Sequence, residues 1–389
     1  MAADSPVLAL TKDLIRRQSV TPEDAGCLDL IEQRLRAAGM QIERRRIEDV
    51  DNLFAWHGED GPHLMLLGHT DVVPPGPESS WSSPPFQPTQ HGADLVGRGT
   101  ADMKSSVAAF VVALESFLSQ CDDSTQVHAG TVSVLLTSDE EGVAEHGVRA
   151  MVPWLEAQKR LPEACLIGEP SSLEQLGDNI RIGRRGSIQA RLTIRGIQGH
   201  TAYADPRDNP VHRAGPLLAA LGQLRFDDGD DYFPPTRLQI SNVQAGTGAD
   251  NVTPGELCIL FNIRNNPNSP SEQLEADLRQ LIDAQDPGPY TLNWRVSGRP
   301  FGPAVGELPE IVDAACQSQL GRSPKRDTGG GTSDGRFLGP LGINCVELGP
   351  VNKTIHQVNE CIALHDLERL PDLYKAIISE YLAQAQSAV

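Results

Sequence analysis

His63-Leu64-Met65-Leu66-Leu67-Gly68-His69-Thr70-Asp71-Val72-Val73 is an apolar run that ends on a histidine and an aspartate two residues apart. A short apolar run bounded by Gly and Pro reads as a buried strand, and 63–73 is expected to be one. In an open α/β sheet, ligands bind outside the carboxyl ends of the strands, which is where His69 and Asp71 fall. A metal-binding imidazole usually needs a carboxylate to fix its tautomer and orientation. Alone, the triplet is equally well an ordinary strand-end histidine beside a turn-forming aspartate. The rest of the chain decides between the two.

Two further apolar strands finish in the same way. Thr131 to Thr137 runs into Ser138-Asp139-Glu140-Glu141-Gly142, and Ala164 to Ile167 runs into Gly168-Glu169-Pro170. Between the first two strands, Gly97-Arg98-Gly99-Thr100-Ala101-Asp102-Met103-Lys104 is a glycine-rich turn. Val107, Phe110, Val111, Leu114 and Leu118 follow at helical spacing, so Asp102 falls just before a helix. Three such strand ends match the crevice of a parallel sheet. A later strand, Ile343 to Leu348, leads to Thr354-Ile355-His356-Gln357-Val358-Asn359-Glu360.

His69, Asp102, Glu140, Glu141, Glu169 and His356 form a nitrogen and oxygen donor set with no thiolate. That chemistry suits zinc, with cobalt or manganese as weaker alternatives. Two histidines and three carboxylates suffice for two metals that share one bridging carboxylate. Adjacent side chains cannot normally serve the same metal from a strand. At a strand-end turn, one of Glu140 and Glu141 can bind metal while the other faces the open position as a base. Any one of these acids seen alone is more often a solvated turn residue.

The chain has 389 residues, enough for two domains, with 39% hydrophobic and 22% charged residues. No apolar stretch approaches the ~18 residues of a membrane span. Met1 to Val20 lacks the basic region and apolar core of a signal peptide. Seven scattered cysteines without a C-x-x-C argue against a disulfide framework and a thiolate zinc site, and a reducing cytoplasm is expected. The net charge of −19 argues against a nucleic-acid partner. It also means that an anionic substrate would be repelled unless local arginines overcome the field.

Helices are expected over 5–20 and 26–39. Near Gly186 the pattern changes: Ile188, Ala190, Leu192 and Ile194 alternate with Gln189, Arg191, Thr193 and Arg195, which marks an antiparallel strand with one wet face. A helix over 209–224, strands over 237–244 and 256–264, a helix over 271–284 and a strand over 290–296 complete a β-α-β-β-α-β unit. The fold class is therefore α/β with two domains. A mixed-sheet catalytic domain (1–185 and 300–389) carries an inserted α+β, ferredoxin-like domain (186–299). His200 in Gly199-His200-Thr201 reads, from spacing alone, as a surface loop histidine. Gly329-Gly330-Gly331 has no Walker lysine and suits close approach of backbone to a substrate. Arg184, Arg185 and Arg264 suit carboxylate clamps in so acidic a chain.

Gly68-His69-Thr70-Asp71-Val72-Val73, Gly99-Thr100-Ala101-Asp102-Met103-Lys104, Asp139-Glu140-Glu141-Gly142 and Gly168-Glu169-Pro170 resemble the dinuclear zinc aminoacylase and carboxypeptidase family, the M20 metallopeptidases. A second set narrows the resemblance to one acyl-amide-cleaving branch. It comprises Gly183-Arg184-Arg185-Gly186-Ser187, Gly196 to Tyr203, Ala245 to Val252, the Thr328 to Phe337 loop and Thr354 to Glu360. The resemblance runs from about residue 5 to the end. It implies two zinc ions per subunit, with cobalt possible in the second site. Asp102 would bridge them, with His69 and Glu169 on one metal and Glu141 and His356 on the other. Asp71 would orient His69, and Glu140 would be the general base and later the proton donor. The oxyanion would be stabilised by the partner subunit's His200, in a homodimer formed through the inserted domain, which also acts as a lid. The substrate contacts implied are Arg184, Tyr203, Asn251, Arg264, Ser297, Gly331, Thr332 and Asn352, for a small anionic substrate. Another deacylase on the same scaffold, or a metal-binding paralogue without turnover, would share the metal motifs.

Overall fold

The strand His63–His69 is buried along its whole length and lies between two parallel neighbours, Thr131–Thr137 and Ala164–Ile167. It belongs to an eight-stranded sheet in a computed structural model that describes residues 4–121 and 130–387. The sheet order is 41–47, 50–57, 131–137, 63–69, 164–167, 344–347, 179–181, 325–327. The four central strands run parallel, and the 41–47 and 50–57 strands form an antiparallel hairpin at one side. Because 131–137 and 164–167 flank the earlier strand 63–69 on opposite sides, chain order reverses at His63–His69. A crevice for ligands opens at such a point.

The strand is shorter than the 63–73 expected. After His69 the backbone leaves the ladder: Thr70 N–H donates to the Thr137 carbonyl and Val72 N–H to that of Ser19. The helix expected over 5–20 likewise stops at Ile15, where Arg16 and Arg17 close the last turn onto Lys12 and Leu14. Helices Lys104–Cys121 and Leu364–Ser387 pack together under the sheet, with the Phe110 and Tyr374 rings 4.5 Å apart. Gly68 and Gly168 permit the helix to approach. A Cβ on either would come within 2.7 Å or 2.6 Å of the Met103 methyl.

The chain divides into two compact units. The first comprises Met1–Gly183, Gly302–Asp327 and Ser333–Val389. The second comprises Arg184–Phe301 and Thr328–Thr332. The expected insert over 186–299 lies inside the second. The tip of the glycine-rich loop, placed by sequence with 300–389, belongs to the second unit instead. Its attachments explain this: Thr328 Oγ1 donates to the Tyr232 carbonyl at 2.6 Å, and Arg184 Nη1 donates to the carbonyls of Gly329 and Gly331 at 2.9 and 3.2 Å. The second unit is a four-stranded antiparallel sheet in the order 237–245, 256–264, 187–195, 290–298, with helices Pro210–Gln223 and Ser271–Gln285 covering one face. Ile188, Leu192, Ile194, Ile259 and Ile263 supply that buried face, and the alternation read from the sequence is the alternation of the sheet.

Candidate metal centre

Five of the expected ligands converge just beyond the carboxyl ends of the parallel strands. His69 ends the first strand, Glu141 and Glu169 follow the next two, and His356 lies in the loop after the fourth. Asp102 comes from the turn before helix Lys104–Cys121. They form two triads: His69, Asp102 and Glu169, and Asp102, Glu141 and His356, each with donor atoms within 4.8 Å of one another. Asp102 belongs to both and divides its oxygens between them. Its Oδ1 lies 3.3 Å from His69 Nε2 and its Oδ2 3.4 Å from His356 Nε2. Glu169 Oε1 is 3.7 Å from His69 Nε2, and Glu141 Oε1 is 3.0 Å from His356 Nε2.

The donors fit a pair of divalent cations. His69 Nε2 and Asp102 Oδ1 are both buried and have no hydrogen-bond partner, although they face one another. Such orphaned atoms are costly unless something else satisfies them. Charge points the same way. Burial, then the charges of Asp102 and Glu140, pushes Glu169 well above the ordinary carboxylate range. Burial opposes the ionised form of Asp102 too, but the His356 and His69 imidazoles beside it overcome this and hold that carboxyl below its usual value. Hydrogen bonds to Asp102 and Glu141 raise His356 to about 10. The excess of buried negative charge is what a cation neutralises.

Glu140 belongs to neither triad. Burial, then the neighbouring charge of Asp334, raises its carboxyl well above the ordinary range. Arg336 Nη2 stands 3.9 Å from Glu140 Oε1. Asp334 is itself buried, with both carboxylate oxygens unbonded, and burial pushes it up to about 7. Neither Asp334 nor Arg336 was singled out by sequence, because nothing in the spacing of the glycine-rich loop distinguishes them from turn residues.

Asp71 faces the His69 ring with both its backbone and its side chain. His69 Nδ1 meets the backbone carbonyl of Asp71 at 2.9 Å, whereas the Asp71 carboxylate is 3.5 Å away. That carboxylate also accepts from the N–H groups of Glu140 and Glu141, at 3.3 and 3.1 Å. One residue therefore fixes the imidazole through its backbone and the glutamate pair through its side chain. The His356 loop is held in unusual backbone conformations, with φ of 61° at His356 and 62° at Asn359. Non-glycine residues adopt this left-handed region only when their surroundings impose it.

Seven of the eight expected substrate contacts, namely Arg184, Tyr203, Asn251, Arg264, Ser297, Gly331 and Thr332, lie in the second unit, and Asn352 in the first. Arg264 is half-buried on the sheet opposite Arg237 and has no ion pair among the described residues. Tyr203 is 89% exposed, with its ring 5.4 Å from that of His200. His200 is exposed, and its Nδ1 accepts from Ala202 N–H at 3.1 Å.

The model of peptidase family M20/M25/M40 matches residues 65–380. A protein of Stenotrophomonas maltophilia (strain R551-3), named succinyl-diaminopimelate desuccinylase, is 52% identical over 378 residues, covering 97% of this chain and 100% of its own. Among solved structures, an M20 family metallo-carboxypeptidase from Sulfolobus solfataricus matches with a TM-score of 0.78 at 14% identity, covering 98% of this chain and 100% of that one. A Bacillus subtilis protein described as a dinuclear metal-binding peptidase from the M20 family matches with a TM-score of 0.74 at 14% identity, covering 98% of each. At those identities the likeness carries the fold alone.

Proposed function

Since the chain belongs to peptidase family M20/M25/M40, we propose that it hydrolyses N-succinyl-LL-2,6-diaminopimelate to succinate and LL-2,6-diaminopimelate, a step toward lysine and cell-wall diaminopimelate. The observation that carries this reading is the Stenotrophomonas relative, similar over its full length and named for that activity. The site supplies the chemistry.

His69, Asp102 and Glu169 would hold one cation, and Asp102, Glu141 and His356 the other. The donors suit zinc, and the half-exposed His356 position would also accept cobalt. Bound there, two divalent cations supply Lewis acidity, drawing charge from an amide carbonyl and making water acidic enough to lose a proton near neutral pH. Glu140 takes that proton on a carboxylate oxygen as the water oxygen bonds to the succinyl carbonyl carbon. It then delivers the proton to the amine nitrogen as the C–N bond breaks. A raised carboxyl suits both directions of transfer. Asp71 keeps Glu140 and Glu141 facing opposite tasks by holding their backbone N–H groups.

His200 suits the oxyanion. Because its Nδ1 accepts from Ala202, the neutral ring carries its proton on Nε2 and can donate there. A homodimer formed through the second unit is supported by strand Arg237–Ala245, which edges its sheet and is mostly exposed, leaving a row of backbone groups for a second copy. The substrate carries three carboxylates and one ammonium. The half-buried Arg264 is suited to one of those carboxylates in a chain whose net charge is −19. The cytoplasm is the compartment that fits the free thiols of Cys27, Cys165, Cys258, Cys316, Cys345 and Cys361. Among the described residues no helix is long and apolar enough to cross a membrane.

The test is a substrate panel under defined zinc, comparing kcat/KM for N-succinyl-LL-2,6-diaminopimelate and N-acetylornithine. A clear preference for the succinylated substrate supports the assignment. A reversed preference would make this another deacylase of the family, and no turnover of either would make it a metal-binding paralogue.

A further inference from the structure

Glu360 is almost wholly buried, yet it is a member of neither triad. Its carboxylate is fully engaged. One oxygen accepts from Ala101 N–H at 2.8 Å and from the N–H of Asp102 itself at 3.0 Å. The other accepts from Gly99 N–H at 3.0 Å and from Arg98 Nη1 at 2.7 Å. Its backbone carbonyl accepts from Gly97 N–H at 2.9 Å. A single side chain thus gathers the turn that carries Asp102.

The same residue closes the loop that carries His356, four positions earlier. Next to it, Asn359 Oδ1 accepts from Ser82 N–H at 2.7 Å. Arg98 extends the brace: its guanidinium lies 5.2 Å from the centre of the Trp81 ring and donates to the Pro74 carbonyl at 3.4 Å. Two loops separated by more than half the chain are therefore joined through one carboxylate. One of them supplies the ligand common to both triads, and the other supplies a histidine of the second triad.

We propose that Glu360 is a positioning residue for the metal pair, which fixes the Asp102 carboxylate between the triads and sets its distance from His356. The inference rests on the dinuclear reading of the site. The structural reason is that Asp102 must present its two oxygens to two different positions, so a small rotation of its turn spoils both. A carboxylate is needed because all four groups it meets are donors. A glutamine there would turn an NH2 group toward one pair of them.

The experiment is a Co2+ titration of the metal-free protein, read from the visible absorption of the bound ion, for wild type and Glu360→Gln. Wild type should take up two equivalents, and fewer would overturn the dinuclear reading on its own. Glu360→Gln should bind both equivalents roughly 10- to 100-fold more weakly, the effect typical of losing a partner that orients a ligand. Its far-UV circular dichroism in the metal-free state should match wild type. A purely structural role would lower the stability of the metal-free protein but leave the affinity of the folded form unchanged, and that result would overturn the proposal. The double variant Arg98→Gln with Glu360→Gln removes both charges together, so it avoids a buried unpaired cation. If it binds two equivalents as tightly as wild type, the proposal is also wrong.

Discussion

Asp102 faces His69 with one oxygen and His356 with the other, and this division is the most consequential fact at the scale of single residues. Sequence could place Asp102 before a helix and could name six candidate donors. It could not say which carboxylate was shared, because that depends on which loops meet in space. It could separate Glu140 from Glu141 in principle, since neighbouring side chains diverge, but not by name. Arg264 is the residue whose role is most exposed to test. If it pairs with a substrate carboxylate, Arg264→Ala should cost about 2–4 kcal/mol, or roughly 30- to 1,000-fold in kcat/KM. The loss should be larger for succinylated than for acetylated substrates. Steady-state kinetics with both substrates check this, and unchanged selectivity would remove Arg264 from the substrate site.

At the scale of elements, the strand His63–His69 has a histidine at each end, in opposite circumstances. His69 is surrounded by carboxylates, which raise it well above its ordinary value against the effect of burial. His63 Nε2 lies 2.6 Å from Ser133 Oγ. Burial, then the nearby charge of Arg160, lowers His63 from 6.5 to about 4. The folded protein thus resists protonating His63 while the unfolded chain does not. Between those two values the unfolded state binds more protons, so stability falls as pH drops through this window. Above pH 6.5 the group contributes nothing to the slope, and below about 4 the loss is complete. Urea unfolding at pH 7 and pH 5 should show roughly 2 kcal/mol of extra destabilisation at pH 5 in wild type relative to His63→Gln. Identical pH dependence in the two proteins would show that His63 does not titrate in this way. Some elements escaped the sequence for clear reasons. Helix Val148–Ala157 contains Pro153 and lacks a side-chain cap, so its start and interior both read as loop. The three-stranded sheet of 89–91, 94–96 and 361–363 joins three-residue strands from distant parts of the chain, which leave no local period. That pairing brings Glu360 to the Asp102 turn, so the role of Glu360 was hidden for the same reason.

For the whole molecule, the second unit was legible because its strands alternate cleanly and its helices are bounded by turns. The destination of residues 328–332 was not, since it rests on hydrogen bonds to Tyr232 and Arg184 that no local pattern signals. If His200 acts across a homodimer, two inactive proteins should rescue one another. In a heterodimer of Glu140→Ala and His200→Ala chains, one of the two sites has both residues intact. Random re-association should restore about a quarter of wild-type activity, from the counting of a two-fold dimer. Mixtures as inactive as either parent would place His200 in cis or outside the reaction. On the proposed reading, five side chains hold two metals while Glu140 stands beside them to move protons. Counting bound metal in reconstituted Glu140→Ala and Glu141→Ala, alongside turnover, tests it most directly. Glu140→Ala should keep two equivalents and lose turnover by ~10²- to 10⁴-fold or more, and Glu141→Ala should lose one equivalent. A Glu140→Ala protein that loses a metal while Glu141→Ala keeps both would contradict the account.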